Sequence, residues 1–161
     1  MSEAEYNNCV TSYADNVYRF ILKNIKHEED AKDIVQSTFE KLWVNCKIVD
    51  NEKCKSYLFT VAYHTMIDSI RKNKKVVLKD DMEHVQHNTV AAQQSTPRIL
   101  QEALNTLNER DRSLVTLKDY EGYNYAEIGQ ITNLGESQVK VYLHRARLKL
   151  RNYLVKIENV V

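Results

Sequence analysis

The sequence is poor in the residues that form tight turns. Its 161 residues include only three glycines and one proline. A fold built from β-strands needs many sharp turns, for which these two residues are the usual choice. So little turn material favours an all-α fold, and the chain is long enough for one ordinary domain or two small helical ones.

Long apolar runs are also missing. Hydrophobic residues make up 43% of the chain and charged residues 28%, as in a globular protein, and no stretch approaches the roughly 20 apolar residues that cross a bilayer. The first residues, Met1 to Glu5, are acidic, unlike the basic and apolar start of a secretion signal. We therefore expect a cytoplasmic protein.

Signals for catalysis or for a bound cofactor are absent from the sequence. The three cysteines Cys9, Cys46 and Cys54 are an odd number without close-spaced pairs, which favours reduced thiols over a disulfide framework or a zinc site. The sequence contains no HExxH, no glycine-rich phosphate loop and no nucleophile with an orienting base. We expect no metal, no cofactor, no small-molecule substrate and no enzymatic activity.

Charge is distributed unevenly along the chain. The formal net charge is only +1, yet six basic residues and no acid lie between Ser137 and Ile157: Lys140, Arg145, Arg147, Lys149, Arg151 and Lys156. A locally basic helix attracts phosphate even when the whole protein does not. Nucleic acid is therefore the first partner to consider.

The hydrophobic pattern divides the chain into two helical blocks. We predict a first domain at 1–75 with three helices, a flexible linker at 76–97, and a second, four-helix domain at 98–161. The acids of the second helix lie in its first turns, where they favour the helix dipole, and Trp43 is expected on its inner face. The linker is polar and ends at Pro97, the only proline.

Residues 124–151 have the pattern of a helix-turn-helix. Asn124 and Glu127 fit a capping box at the start of the first helix, and Ala126, Ile128 and Ile131 form its apolar side. Gly129 costs about 1 kcal/mol inside a helix, so we expect it to pack closely against a neighbouring helix. The turn is predicted at 133–135.

The second helix of this motif has one apolar stripe, formed by Val139, Leu143, Ala146 and Leu150. At about 100° per residue, the opposite surface is free for a partner. The predicted DNA-reading residues on this surface and its flanks are Ser137, Gln138, Lys140, Val141, Tyr142, His144, Arg145 and Arg147. The alternative, a solvated basic helix, is less favoured because the upstream turn makes this the reading helix of the motif.

These features together resemble the extracytoplasmic-function sigma factors, the two-domain type of bacterial RNA polymerase sigma subunit. Residues 30–43, 56–62 and 67–72 are similar to the family's region 2. Residues 104–107, 109–110, 120–122, 125–128, 139–140 and 143–147 follow its region 4. The resemblance covers nearly the whole chain and depends on two motifs in the expected order.

The resemblance implies a role for each domain. Region 4 would read the minus-thirty-five element, and region 2 would bind core RNA polymerase and recognise and open the minus-ten element. The residues implied at the minus-ten element are Asn45, Lys55, Tyr57, Thr60, Tyr63, His64, Arg71 and Lys72, and those implied at the polymerase are Asp30, Asp33 and Gln36. Promoter DNA, core polymerase and an anti-sigma factor are the implied partners.

Five positions depart from the family pattern, among them Val141 and Tyr142, which stand where small or basic residues are common. Tyr57 stands where tryptophan is usual, Ser37 replaces a frequent acid, and Gly135 replaces the usual serine or threonine cap of the reading helix. A glycine cap costs only a few tenths of a kcal/mol.

The alternative function is a stand-alone helix-turn-helix regulator, which would explain the second domain but not the acidic helix followed by an aromatic and basic one.

Overall fold

The chain is folded into α-helices. A computed structural model describes residues 1–80 and 98–160, and within those ranges it contains helices and turns but no strand, which confirms the all-α prediction. Two compact units are present, Met1–Thr89 and Val90–Val161. None of the helices in the described ranges is long and apolar enough to span a membrane.

The first unit is a three-helix bundle. Its helices are α1 (Glu3–Ile25), α2 (Glu28–Val44) and α3 (Cys54–Asp80), with a short 3₁₀ turn at Asn51–Lys53. Each helix packs against the other two. The core contains Val17, Phe20, Ile21, Ala31, Ile34, Leu42, Leu58, Phe59, Ala62 and Met66, all at most 5% exposed.

Local capping defines where these helices begin and end. Ser2 and Glu5 form a reciprocal capping box at the start of α1, and Lys26 ends that helix in the left-handed conformation with φ 57°. The His27 imidazole then accepts a hydrogen bond from the Asp30 N–H at 3.2 Å and caps α2. Side-chain caps of this kind satisfy backbone groups that have no partner inside the helix.

Two predictions for this unit need correction. Trp43 is 49% exposed, because it lies in the last turn of α2 and makes an edge contact with the Tyr6 ring at 4.9 Å instead of entering the core. The third helix begins at Cys54, close to the predicted start near Ser56, but it continues to Asp80, past the predicted domain boundary at 75. The rest of the predicted linker, residues 81–97, lies outside the described residues.

The second unit contains α4 (Arg98–Asn105), α5 (Glu109–Val115), α6 (Tyr125–Thr132) and α7 (Glu136–Val160). A π-helical turn, Thr116–Tyr120, extends α5, and Gly122 follows in the left-handed conformation with φ 76°. Packing of α7 against α4, α5 and α6 forms the core of this unit. Val139, Leu143 and Ala146 are at most 1% exposed, which confirms three residues of the predicted stripe, whereas the fourth, Leu150, is half-buried.

A buried arginine ties the first two helices of this unit together. Arg112 is 7% exposed and donates to the carbonyls of Leu104 at 3.1 Å and Leu107 at 2.8 Å. These carbonyls lie at the end of α4 and just beyond it, where backbone acceptors lack helical partners. Burial lowers the pKa of Arg112 from its usual value, although the guanidinium keeps its charge.

Candidate nucleic-acid interfaces

The helix-turn-helix forms as its sequence predicts. Asn124 and Glu127 exchange both capping-box hydrogen bonds, at 2.8 Å and 3.1 Å, and Asn133 ends α6 in the left-handed conformation with φ 59°. The Gly135 N–H donates to the Gln138 side chain at 2.9 Å. Gln138 therefore stabilises the start of α7 from the surface where it was predicted to contact DNA.

Gly129 is closely packed, as predicted, but its close neighbour is not the one that was expected. A Cβ at this position would lie 2.7 Å from the carbonyl oxygen of Leu134, so the close contact is with the turn and not with another helix. The Leu134 N–H also donates to the Gly129 carbonyl at 3.0 Å. Ala126, predicted on the apolar side of α6, is exposed.

Four of the predicted reading residues form a continuous exposed surface on α7, which we call the reading face: Ser137, Val141, His144 and Arg145. Val141 is 46% exposed. Among the described residues, no side chain of these four makes a hydrogen bond or an ion pair. Arginine, histidine and an exposed valine without internal partners are able to contact base edges and thymine methyl groups in a major groove.

The remaining predicted residues of α7 are engaged on its flanks. Arg147 forms a 2.8 Å bridge to Asp119, and this hydrogen bond raises the pKa of Arg147 above its usual value. Lys140 pairs with Glu136 at 3.6 Å. The Tyr142 ring is covered by the Arg110 guanidinium, 3.6 Å from the ring centroid.

Three residues on these flanks were missed by reading the sequence. Asp119 and Arg110 come from the α5 segment and contact α7, and the Tyr125 ring of α6 lies 5.1 Å from the Lys118 ammonium and 5.5 Å from that of Lys140. Helical periodicity shows which side of a helix is polar, but it does not show which distant residue meets it. No local signal in the sequence could have found these pairs.

In the first unit, the predicted minus-ten segment is fixed by contacts to its neighbours. The Asn45 side chain donates to the Tyr57 hydroxyl at 3.0 Å, which joins the end of α2 to the first turns of α3. The terminal amino group of Met1 donates to the Cys46 carbonyl at 2.8 Å. Ile48, at the tip between these contacts, is 81% exposed.

The predicted minus-ten residues of α3 do not all lie on the surface. Lys55, Tyr57 and Thr60 are half-buried, and the Thr60 hydroxyl donates to the Ser56 carbonyl at 2.8 Å. Tyr63 is only 7% exposed, and its ring packs against that of His64 at 5.3 Å. Little of Tyr63 is therefore accessible beside the exposed His64, and its contact with a base stays a prediction.

Exposed cations follow on α3. Arg71, Lys72, Lys74 and Lys75 all lie on its exposed surface, where long basic side chains are suited to phosphate contacts. Asp68, one turn earlier, is also exposed. The minus-ten role of Arg71 and Lys72 stays a prediction.

The predicted polymerase-binding residues lie on an acidic side of α2. Asp33 is exposed and has no ion-pair partner among the described residues. Asp30 lies 3.3 Å from the imidazole of His27, and Gln36 donates to Glu40 at 3.3 Å. Of the three, Asp33 therefore presents the free charge.

The cysteines are free thiols, in agreement with the predicted reduced state. Cys9 and Cys54 are buried in the first unit, and burial, followed by a hydrogen bond with Cys54, raises the pKa of the Cys9 thiol to about 12. Within residues 1–75 and 98–158, no cluster of three or more histidine, cysteine, aspartate or glutamate residues could hold a metal ion.

Two families match the two units. Residues 9–76 match Sigma-70 region 2, and residues 98–150 match Sigma-70, region 4. The matched segments occur in the order that the sequence motifs predicted and lie on the helices described above. They define the protein as a transcription initiation factor of the sigma-70 class.

Two relatives identify the family within the sigma-70 class. The chain is 34% identical to the ECF RNA polymerase sigma factor SigM of Bacillus subtilis over 86% of this chain and 88% of SigM. It is 32% identical to the sigma factor SigV of the same organism, over 92% and 90% of the two chains. The protein therefore belongs to the extracytoplasmic-function sigma factors, non-catalytic factors that act with RNA polymerase in transcription initiation.

Solved structures agree on the fold. The sigma factor RpoE of Bartonella quintana, solved with the anti-sigma factor NepR, matches with a TM-score of 0.77 and 21% identity over 92% of this chain and 96% of that one. CnrH, solved with the cytosolic domain of CnrY, matches with a TM-score of 0.70 and 19% identity over 96% and 90%. At these identities the likeness shows the fold alone.

Proposed function

We propose that this sigma factor directs core RNA polymerase to promoters whose two elements are read by its two units. The second unit reads the minus-thirty-five element through α7. The first unit binds the polymerase and recognises and opens the minus-ten element. The observation that carries the proposal is the reading face, which is exposed and has no internal partners among the described residues.

The reading face has the chemistry of a major-groove contact. The Arg145 guanidinium can pair with guanine in bidentate fashion, and Val141 can contact a thymine methyl. Both side chains project from a helix that is fixed on its other side by the buried Val139 and Leu143. A rigid helix carrying unpartnered side chains is the arrangement that helix-turn-helix proteins insert into DNA.

The minus-ten element, which lies downstream, requires a different kind of site from the reading face. Opening DNA costs a few kcal/mol for each unstacked base, and protein contacts to the melted strand must offset that cost. The segment between α2 and α3, held by Asn45 and Tyr57, supplies polar groups, the exposed His64 lies two turns further along α3, and Arg71 and Lys72 supply cations for the backbone. These features support melted-strand binding by the first unit.

Docking to the polymerase is assigned to the acidic side of α2. Asp33 presents an unpaired carboxylate, which complements a basic surface and steers association. The two structural relatives, RpoE and CnrH, were solved with partner proteins, the anti-sigma factor NepR and the cytosolic domain of CnrY. We extend that kind of regulation to this chain and expect an anti-sigma factor.

Run-off transcription tests this function. Bacterial core polymerase is assayed on a library of promoter fragments with and without the full-length protein. We expect specific initiation only when the protein is added. Binding of duplex DNA by the protein alone, without assembly with core polymerase, would instead indicate a stand-alone regulator and overturn the proposal.

A further inference from the structure

A guanidinium from outside the helix-turn-helix is held beside the reading face. Arg110, in the first turn of α5, lies with its guanidinium carbon 3.6 Å from the centroid of the Tyr142 ring. Its Nε also lies 3.2 Å from a carboxylate oxygen of Asp111, whose side chain is only 7% exposed. The guanidinium is thus fixed on one face by an aromatic ring and at Nε by a buried acid.

The rest of this guanidinium is available to a ligand. Nε pairs with Asp111, while the two terminal nitrogens donate no hydrogen bond to the described residues. The side chain is 41% exposed. Because those two nitrogens point in nearly parallel directions, they match two oxygens of one phosphate, and stacking on an aromatic ring leaves this edge open.

The position of Tyr142 places Arg110 next to the predicted DNA contacts. Residues three and four apart are neighbours on a helix surface, so Tyr142 adjoins both Gln138 on its own flank and Arg145 of the reading face. When such a helix lies in a major groove, the phosphates of the flanking strands pass along its sides, and about half or more of protein–DNA hydrogen bonds go to this backbone.

We propose that Arg110 binds a backbone phosphate of the promoter duplex, with Tyr142 as its stacking platform and Asp111 as its anchor. This inference depends on the proposed reading of DNA by α7 and changes one assignment within it. Tyr142, expected among the reading residues, acts through Arg110 because one face of its ring is already covered. The contact adds affinity and fixes the depth of the helix, without reading a base.

The test measures the salt dependence of promoter binding by holoenzyme. The full-length protein carries Arg110→Gln, Arg110→Lys or the control Arg98→Gln, and each is assembled with core polymerase on a fragment selected by run-off transcription. Arg98 is also an exposed cation of the second unit, but it lies on α4, paired with Glu102 at 3.2 Å. Thermal unfolding of each variant confirms that it is folded.

We expect Arg110→Gln to lower the slope of log binding constant against log salt by about 0.9, the value for one phosphate contact on duplex DNA. Arg110→Lys should keep most of that slope, since it retains the charge, and Arg98→Gln should match the unmodified protein. The ranking of promoter sequences should not change for any of them. Equal slopes for Arg110→Gln and the unmodified protein would overturn the inference.

Two other results would also overturn it. If Arg110→Gln changed the ranking of promoter sequences, the guanidinium would contact a base edge and not a phosphate. If Arg110→Gln weakened assembly with core polymerase in the absence of DNA, this surface would contact the polymerase. Failure of the unmodified holoenzyme to select any promoter would instead reject the proposed function, so the two failures are distinguishable.

Discussion

The two units of this protein present their proposed DNA-contacting side chains in different ways. In the second unit, one straight helix, α7, carries the reading face, and its opposite side is buried at Val139 and Leu143. In the first unit, the proposed minus-ten site combines a helix end, a turn and a second helix, joined by the bond from Asn45 to Tyr57. A surface on one helix depends on local sequence, whereas a surface assembled from several elements depends on tertiary packing.

The difference explains why the sequence was informative for one unit and less so for the other. On α7, the positions opposite the apolar stripe are exposed as predicted, including Ser137, Val141, His144 and Arg145. On α3, Tyr63 was expected to contact DNA but is 7% exposed. A helical wheel gives the direction of a side chain relative to its own helix, but the burial of Tyr63 depends on which neighbours cover it.

The largest expected effect tests the reading face itself. Arg145→Ala removes a cation with no internal partner among the described residues, so folding should be unaffected. Binding to promoters with the native upstream element should weaken by about 1 to 3 kcal/mol. Holoenzyme binding to matched fragments measures this change, and an unchanged affinity would show that this face does not contact DNA.

A second prediction concerns the turn that orients α7. A Cβ at Gly129 would lie 2.7 Å from the Leu134 carbonyl oxygen, and such overpacking costs about 1 to 3 kcal/mol, against a helix-propensity gain of about 1 kcal/mol. Gly129→Ala should therefore lower the free energy of unfolding, contrary to its helix propensity. Chemical denaturation measures this change in the free energy of unfolding.

Gly135→Ala is the matched control for that variant. The nearest atom to a Cβ at Gly135 is the flexible end of Gln138, at 3.5 Å, so no backbone has to move. Because alanine is less favoured than glycine at a helix N-cap, the change should lower the free energy of unfolding by at most about 1 kcal/mol. If Gly129→Ala were stabilising, the close turn would not be a constraint on this unit.

The third prediction concerns the exposed Asp33 on α2 of the first unit. Asp33→Lys reverses an unpaired exposed charge on α2 and should weaken binding to core polymerase by about 1 kcal/mol, the upper range for exposed pairs. The loss should decrease with added salt because exposed charges are screened. Titration of labelled core polymerase measures it, with Glu3→Lys on α1, also exposed, as the control.

If Asp33→Lys and Glu3→Lys weakened binding equally, the effect would come from net charge and not from a docking surface on α2. If neither had an effect, the polymerase would bind elsewhere on the first unit. Either result would contradict the role given to Asp33, while circular dichroism of both variants would show that the helices remain formed.

The smallest effect at neutral pH concerns the buried thiols. Burial raises the pKa of the Cys9 thiol from 9.0 to about 12, so the folded protein keeps this proton where the unfolded chain has lost it. The resulting stability is complete below pH 9.0 and is lost as pH rises towards 12. Denaturation midpoints measured across this range should fall with pH.

Alkylation of the native protein at pH 8 checks the same group more simply. Cys46 is half-buried, whereas Cys9 and Cys54 are each 3% exposed, and the thiolate is the reactive form. Mass spectrometry should find Cys46 modified first and the other two only after unfolding. Rapid modification of Cys9 would contradict the packing of α1 against α3.

Much of the fold could be predicted because its signals are local. The capping box of Asn124 and Glu127 and the cap at Asn108 each join residues only three positions apart, and both form as expected. The pairs that flank α7 could not be predicted, since Arg147 and Asp119 are 28 residues apart. For the same reason, the platform that Tyr142 offers to Arg110 appears only when α5 and α7 are packed together.

The central claim is that two separate units read two separate promoter elements, and one measurement tests it most directly. Core polymerase with the unmodified protein, or with Arg145→Ala, initiates on a library of randomised promoter fragments, and the transcribed sequences are compared. We predict that the variant relaxes the preference only in the upstream element and leaves the downstream element unchanged. No specific initiation with the unmodified protein, or a preference altered in the downstream element instead, would contradict the account.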